Sequence, residues 1–196
     1  MTKRILPIAV ILIVAGLLVW QRFNVKPSVN VVVTASTSKA YSVGDTLKRG
    51  QTIETQTGEF LLFDVGNVHV AMSEKTTLEL KRLFTDERVL IFPRGRIWIE
   101  NPQADPFFID TVKTQNTLTQ GTATFVNFDF LQTVHIIPLK KQVQTRLTGT
   151  NDFMLIPSPL AIREVTPPTF EKISFDLTQN AASSFYAWID ENQSHE

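Results

Sequence analysis

Between Ile5 and Trp20 the chain reads Ile-Leu-Pro-Ile-Ala-Val-Ile-Leu-Ile-Val-Ala-Gly-Leu-Leu-Val-Trp, with no charged residue. Lys3 and Arg4 precede this run, and Gln21 and Arg22 follow it. As a helix it would rise roughly 24 Å, a little short of a hydrocarbon core near 30 Å. Trp20 and the long arms of Arg4 and Arg22 can cover the difference. A buried helix of a soluble protein, the alternative, usually keeps a polar stripe. The run therefore predicts a membrane-spanning segment.

A cleaved signal peptide needs small residues just after the apolar run. Val19, Trp20 and Gln21 stand there instead, and they are too bulky. Val33 and Ala35 have suitable sizes but lie too far downstream. Val14 and Gly16 would require a cut inside the run. The sequence contains no cysteine, which excludes a lipid-modified one along with disulfides and thiolate metal sites. A permanent anchor is expected over residues 1–23. Lys3, Arg4 and the initial amine slightly outweigh Arg22 and Lys26, placing the N-terminus in the cytoplasm and the remainder outside the cell membrane in a single pass.

The first 23 residues hold three of the 19 basic residues and none of the 19 acidic ones. The remaining 173 residues thus carry 16 basic against 19 acidic, a formal charge of −3. That length suits one domain with a substantial core. A mildly acidic domain argues against nucleic acid as a partner.

A tether over residues 24–28 leads into short runs rich in Val, Ile, Phe and Thr. They include Val29 to Val33, Glu59 to Val65, Val68 to Met72, Arg88 to Phe92, Arg96 to Ile99, Thr122 to Phe128 and Thr133 to Ile137. Such composition suits pleated strands, and Thr122 to Phe128 alternates with period two. This pattern predicts an all-β domain over residues 29–168, solenoid-like or rolled, built of many short strands. In the Thr122 to Phe128 alternation, Ala123 and Phe125 are expected to point inward and Thr124 outward. Gly44, Gly50, Gly58 and Gly66 recur in polar contexts and mark turns. Pro157, Pro159, Pro167 and Pro168 suggest an irregular wrap or linker. In the C-terminal segment 169–196, Phe185, Trp188 and Ile189 give helical spacing, so an amphipathic helix is expected over 181–192, burying Trp188.

No chemistry-bearing motif stands out. His69, His135 and His195 have no second histidine at metal-ligand spacing, so no metal site is expected. The chain has no Gly-x-Ser-x-Gly elbow, phosphate-cradling glycine loop or His-Glu-x-x-His. Neither catalytic residues nor a cofactor are expected. Arg94-Gly95-Arg96, with Lys81, Arg82 and Arg88 nearby, reads as a solvated turn with charged edges. Lys140-Lys141 reads as another turn.

Ordered phrases along residues 43–143, from Gly44, Leu47, Gly50, Ile53 and Thr55 through Gly95, Phe107 and Thr111 to Gly121, Thr122 and Phe125, resemble the FecR domain, the extracytoplasmic β module of membrane-bound regulators of iron-uptake transcription. Gly44, Leu47, Gly50, Ile53 and Thr55 resemble its opening, and Gly58-Glu59-Phe60-Leu61 its next strand. Ser73 to Leu80 is similar to its threonine-x-leucine strand. Gly95 matches the glycine before a further strand, and Phe107 and Thr111 its proline-phenylalanine-x-valine-x-threonine element. Gly121-Thr122-Ala123-Thr124-Phe125 is similar to its glycine-threonine-x-phenylalanine phrase with one residue inserted or shifted. The resemblance implies structural roles for Gly44, Gly50, Thr55, Gly58, Gly95, Phe107, Thr111, Gly121, Thr122 and Phe125. Where the family turns at a glycine, Pro138-Leu139-Lys140-Lys141 stands here. The iron regulators also carry a cytoplasmic sigma-binding domain, and Met1 to Arg4 cannot supply one. The expected function is therefore a membrane-anchored interaction module for sensing, scaffolding or envelope binding. Its partner would be another envelope or membrane protein or a cell-wall polymer. The alternatives are a signalling regulator acting through a separate cytoplasmic partner such as a sigma-factor system, or an envelope enzyme.

Overall fold

The structure, a computed structural model, describes residues 26–128, 133–163, 167–178 and 182–193. The expected anchor at Ile5 to Trp20 lies outside them. Among the described residues, no helix is long and apolar enough to cross a membrane.

Among the described residues, fifteen strands and one helix follow in order. They are β1 (Val31–Ser36), β2 (Thr46–Leu47), β3 (Thr52–Glu54), β4 (Leu61–Val65), β5 (Val68–Met72), β6 (Thr77–Phe84), β7 (Glu87–Asn101), β8 (Phe107–Asp110), β9 (Thr114–Leu118), β10 (Gly121–Phe128), β11 (Thr133–Lys140), β12 (Val143–Leu147), β13 (Phe153–Ile156), β14 (Leu160–Arg163), β15 (Thr169–Lys172) and α1 (Ser183–Asn192). The β-dominated class matches the expectation from sequence. All strands join one hydrogen-bonded network, which folds over through β7 into two layers. This pairing fits the rolled rather than the solenoid-like alternative.

β7 is shared between the layers. Its first half, from Arg88 to Ile91, pairs antiparallel with β6 and parallel with β8. Its second half, from Gly95 to Asn101, pairs antiparallel with β5 and β10. The first layer runs β3-β6-β7-β8-β9-β12-β13. The second runs β2-β1-β4-β5-β7-β10-β11-β14-β15. One apolar core fills the space between them. Ile53, Leu80, Leu90, Phe92, Phe107 and Leu118 enter from the first layer, and Val33, Phe63, Val70, Ile97, Ile99, Phe125 and Ile136 from the second. Ala123 and Phe125 point inward, as the alternation predicts.

Several expectations are corrected. Arg94-Gly95-Arg96 is not a turn but the crossing point inside β7. Gly95 has φ +104°, and a Cβ there would lie 2.5 Å from the Thr76 Cα, so this close approach requires glycine. Arg88 is buried rather than solvated, with its guanidinium 5.9 Å from the centre of the Phe107 ring. The proline-rich stretch is not irregular throughout. β13 and β14 flank Pro157 and Pro159, and β15 follows Pro168 and pairs with β14. Thr124 is fully buried, although the alternation placed it outward toward solvent. It does face outward from the core, but α1 and its aromatic neighbours cover that side of the second layer.

Candidate functional site: the helix-covered face

The outer face of the second layer is organised in cross-strand rows, because residues in register share a face. One row runs Ala35–Leu62–Ala71–Trp98–Thr124–Ile137. All six side chains are buried. The two alanines leave room for a helix to approach, with Leu62 and Trp98 flanking it. Phe185, Tyr186 and Ile189 of α1 pack with Ala35, Leu62, Ala71 and Trp98, joined by Phe60, Leu139, Phe175 and Trp188. The predicted helix is thus present from Ser183, and Tyr186 rather than Trp188 is its third buried anchor. Trp188 is half-buried, with its ring 5.5 Å from that of Phe60. Phe60 also meets Phe185 at 5.6 Å, and Phe175 meets Tyr186 edge-on at 5.9 Å. Tilted and edge-on geometries at these separations suit the quadrupoles of aromatic rings.

On either side of this row the face turns polar. Toward the C-terminal end of α1 runs Asp64–His69–Glu100–Thr122–Lys140. His69 Nδ1 lies 2.7 Å from Asp64 Oδ1. Glu100 accepts a 2.7 Å hydrogen bond from Gln193 Nε2 and lies 3.7 Å from Lys140 Nζ. Asp64, His69, Glu100 and Lys140 line a cleft of about 710 Å³ together with Thr34, Asn67, Asn192 and Gln193. On the other side runs Arg96–Val126–His135–Ala161–Glu171. Arg96 Nη1 donates to Tyr186 Oη at 3.3 Å and places its guanidinium 5.8 Å from that ring. Burial pushes the His135 imidazole below its ordinary pKa, the Arg96 charge adds to the shift, and Glu171 partly offsets it. Among the described residues, no three His, Cys, Asp or Glu side chains are placed to hold a metal ion. The arrangement is an apolar strip, filled by the chain's own helix, between two charged borders.

The residues that the family resemblance singled out do not gather at this face. Gly44, Gly50 and Gly58 occupy turns with positive φ. Thr55 bonds the Ser73 carbonyl at 2.5 Å, and Thr111 bonds Thr114 at 2.7 Å. Phe107 and Phe125 are core residues. Gly121 permits the Lys140 carbonyl to approach, since a Cβ there would lie 2.5 Å from that oxygen. Of the ten, Thr122 alone sits in the charged row. Sequence reading missed the buried amides that hold the crossing strands. Asn127 donates to the Phe92 and Pro93 carbonyls at 3.2 and 2.7 Å, where β7 changes layer. Asn101 donates to the Asp105 and Leu118 carbonyls at 2.8 and 2.9 Å. Their signal was polar residues at apolar-phase positions in strands.

A two-layer β-roll with a C-terminal helix laid on its outer face is the class defined by this fold and face. Neither a protein-family profile nor any curated protein matches the chain. Two crystal structures do share the fold. Both are of a Parabacteroides distasonis protein described as a "putative anti-sigma factor", at 14% and 15% identity and a TM-score of 0.56 in each case. The superposition covers 71% of this chain and 64% of the neighbour, so this chain spans less than two thirds of the neighbour's length.

Proposed function

We propose that the chain is a membrane-anchored regulatory module, FecR-like in its β domain, that works outside the cell membrane by contact with another protein. The observation that carries this reading is the shared fold with a protein described as an anti-sigma factor. The exposed side of α1 and the two charged rows that border its seat give the contact a location. The uncharged run from Ile5 to Trp20 supports the anchor. No enzymatic role is proposed.

Photo-crosslinking in intact membranes tests the reading. A cross-linking side chain at the exposed Ser184 of α1 should capture one discrete envelope or membrane protein, while the same group at Lys113 should not. Equal, diffuse labelling from both positions would defeat the proposal. Protease added to spheroplasts should digest the β domain and leave the anchor fragment in the membrane. A second reading, signalling through a separate cytoplasmic partner of a sigma-factor system, is favoured by the neighbour's description. A transcriptional reporter that responds to deletion of this chain and of a sigma factor alike would support it.

A further inference from the structure

The end of the sandwich where the chain leaves the tether carries a cationic groove. Residues 27–29 are stitched to the end of β6 and its turn. Val29 N–H donates to the Leu83 carbonyl at 2.8 Å, and Thr85 N–H donates to the Pro27 carbonyl at 3.2 Å. Ser28 bridges to Phe84. The Phe84 ring is flanked by two cations, with Lys26 Nζ at 5.9 Å and the Arg49 guanidinium at 4.9 Å. Lys48 stands beside Arg49 on the β2–β3 turn, which is fixed by the Lys48 N–H bonding Gln51 Oε1 at 2.9 Å. The groove has a volume of about 700 Å³ and is lined by Lys26, Lys48 and Arg49 above Leu47, Leu83 and Phe84.

The acids at this end are already engaged. Asp86 pairs with Lys26 at 2.7 Å and Glu87 with Arg82 at 3.3 Å. Lys48 and Arg49 are exposed and form no ion pair among the described residues. The local charge is therefore positive on a domain whose formal charge is negative. Three residues separate Arg22 from Lys26, so the four steps between them span at most about 14 Å in extended chain. A patch so close to an anchor stays near the headgroup layer, where screening acts over only about 8 Å.

We propose that this end of the sandwich rests on anionic lipid headgroups, with Lys48 and Arg49 binding lipid phosphates and Lys26 completing the patch. Arg49 offers a phosphate its planar fork and Lys48 a point charge. Contact there would set the orientation of the roll on the membrane and turn the α1-covered face in a fixed direction. The inference rests on the anchor reading.

The test uses the full chain in nanodiscs of phosphatidylcholine alone or with one third phosphatidylglycerol. Lysine acylation by a membrane-impermeant reagent is followed by mass spectrometry. Lys26 and Lys48 should react on the order of fivefold more slowly in the anionic discs, while Lys113, on the β8–β9 turn, keeps one rate. At about 0.5 M salt the difference should vanish, because the screening length falls below about 5 Å. In the double variant K48E/R49E, Lys26 should react equally fast in both discs. An inserted chain with equal wild-type rates in both discs overturns this inference and leaves the anchor intact. Slowing of Lys26 that persists in the double variant overturns the assignment to Lys48 and Arg49. A chain that neither disc retains overturns the anchor reading and this inference with it.

Discussion

Gly95 sits against Thr76 with no room for a side chain, and the same threonine holds both strand groups of the next residue. Thr76 Oγ1 accepts from the Arg96 N–H at 3.0 Å and lies 3.2 Å from the Arg96 carbonyl. Thr76 thus fastens β7 where it passes from one layer to the other. Gly95→Ala adds a Cβ both at a left-handed φ and against backbone. The two effects together should cost about 3 kcal/mol. For a domain of this size that lowers the Tm by roughly 6–12 °C. Gly58→Ala, at φ +77° with open space around it, meets only the first effect. Its loss should be about 1–2 kcal/mol. Equal Tm losses for the two variants would mean that the Thr76 contact carries no weight.

Phe125 and Thr124 are neighbours in β10 that face opposite sides, and both are fully buried. Phe125→Ala empties a core position and should cost about 3–5 kcal/mol, a large share of a typical 5–15 kcal/mol. The Thr124 hydroxyl has no hydrogen-bond partner among the described residues. Thr124→Val keeps the shape and removes a buried polar group, so it should leave stability unchanged or raise it by about 1 kcal/mol. Chemical denaturation of both variants measures this. A marked loss in Thr124→Val would show that the hydroxyl is bonded in solution.

The two faces of β10 also show what local sequence can and cannot tell. The alternation Thr-Phe-Val-Asn-Phe made the strand and its inward Phe125 legible. The burial of Thr124 was not, because the cluster that covers this face draws in α1 from some 60 residues further along the chain. β9 was not read as a strand because Thr114-Gln115-Asn116-Thr117 looks like loop composition, yet Asn116 and Thr145 satisfy each other inside, at 2.8 Å. Gly95 between two arginines carries the local signature of a turn. Its actual role is set by Thr76, a non-local neighbour. The helix was legible from Phe185, Trp188 and Ile189, but its seat was not. Ala35, Leu62, Ala71 and Trp98 come from four strands and become one row only through register.

Helix α1 should behave as a separable cover. Its ten residues are too few to persist alone in water, and Ala182 at its start provides no side-chain cap. Its order therefore depends on packing against the row beneath. Phe185→Ala should release the helix while the sandwich remains folded. Hydrogen exchange should then show lost protection in α1 amides and retained protection in β7 and β10. Simultaneous loss in α1 and both strands would mean that helix and sheet unfold as one unit.

Acid should weaken the fold through His135. Burial and the Arg96 charge hold its folded pKa below the ordinary imidazole value, so the folded protein binds this proton less readily than the unfolded chain does. Well above about pH 6.5 the ring is neutral in both states and contributes nothing to the balance. As pH falls below that value the unfolded chain protonates first, and stability declines until the folded ring titrates as well. His135→Gln removes the titration but keeps a polar side chain at the site. The Tm lost between about pH 7.5 and pH 5 should therefore be greater for the wild type than for the variant. His69→Gln serves as a control for the other described histidine, which is half-exposed beside Asp64. If wild type and His135→Gln lose the same Tm over that range, the ring is as well solvated in the fold as in the unfolded chain, and the burial assigned to this row is wrong.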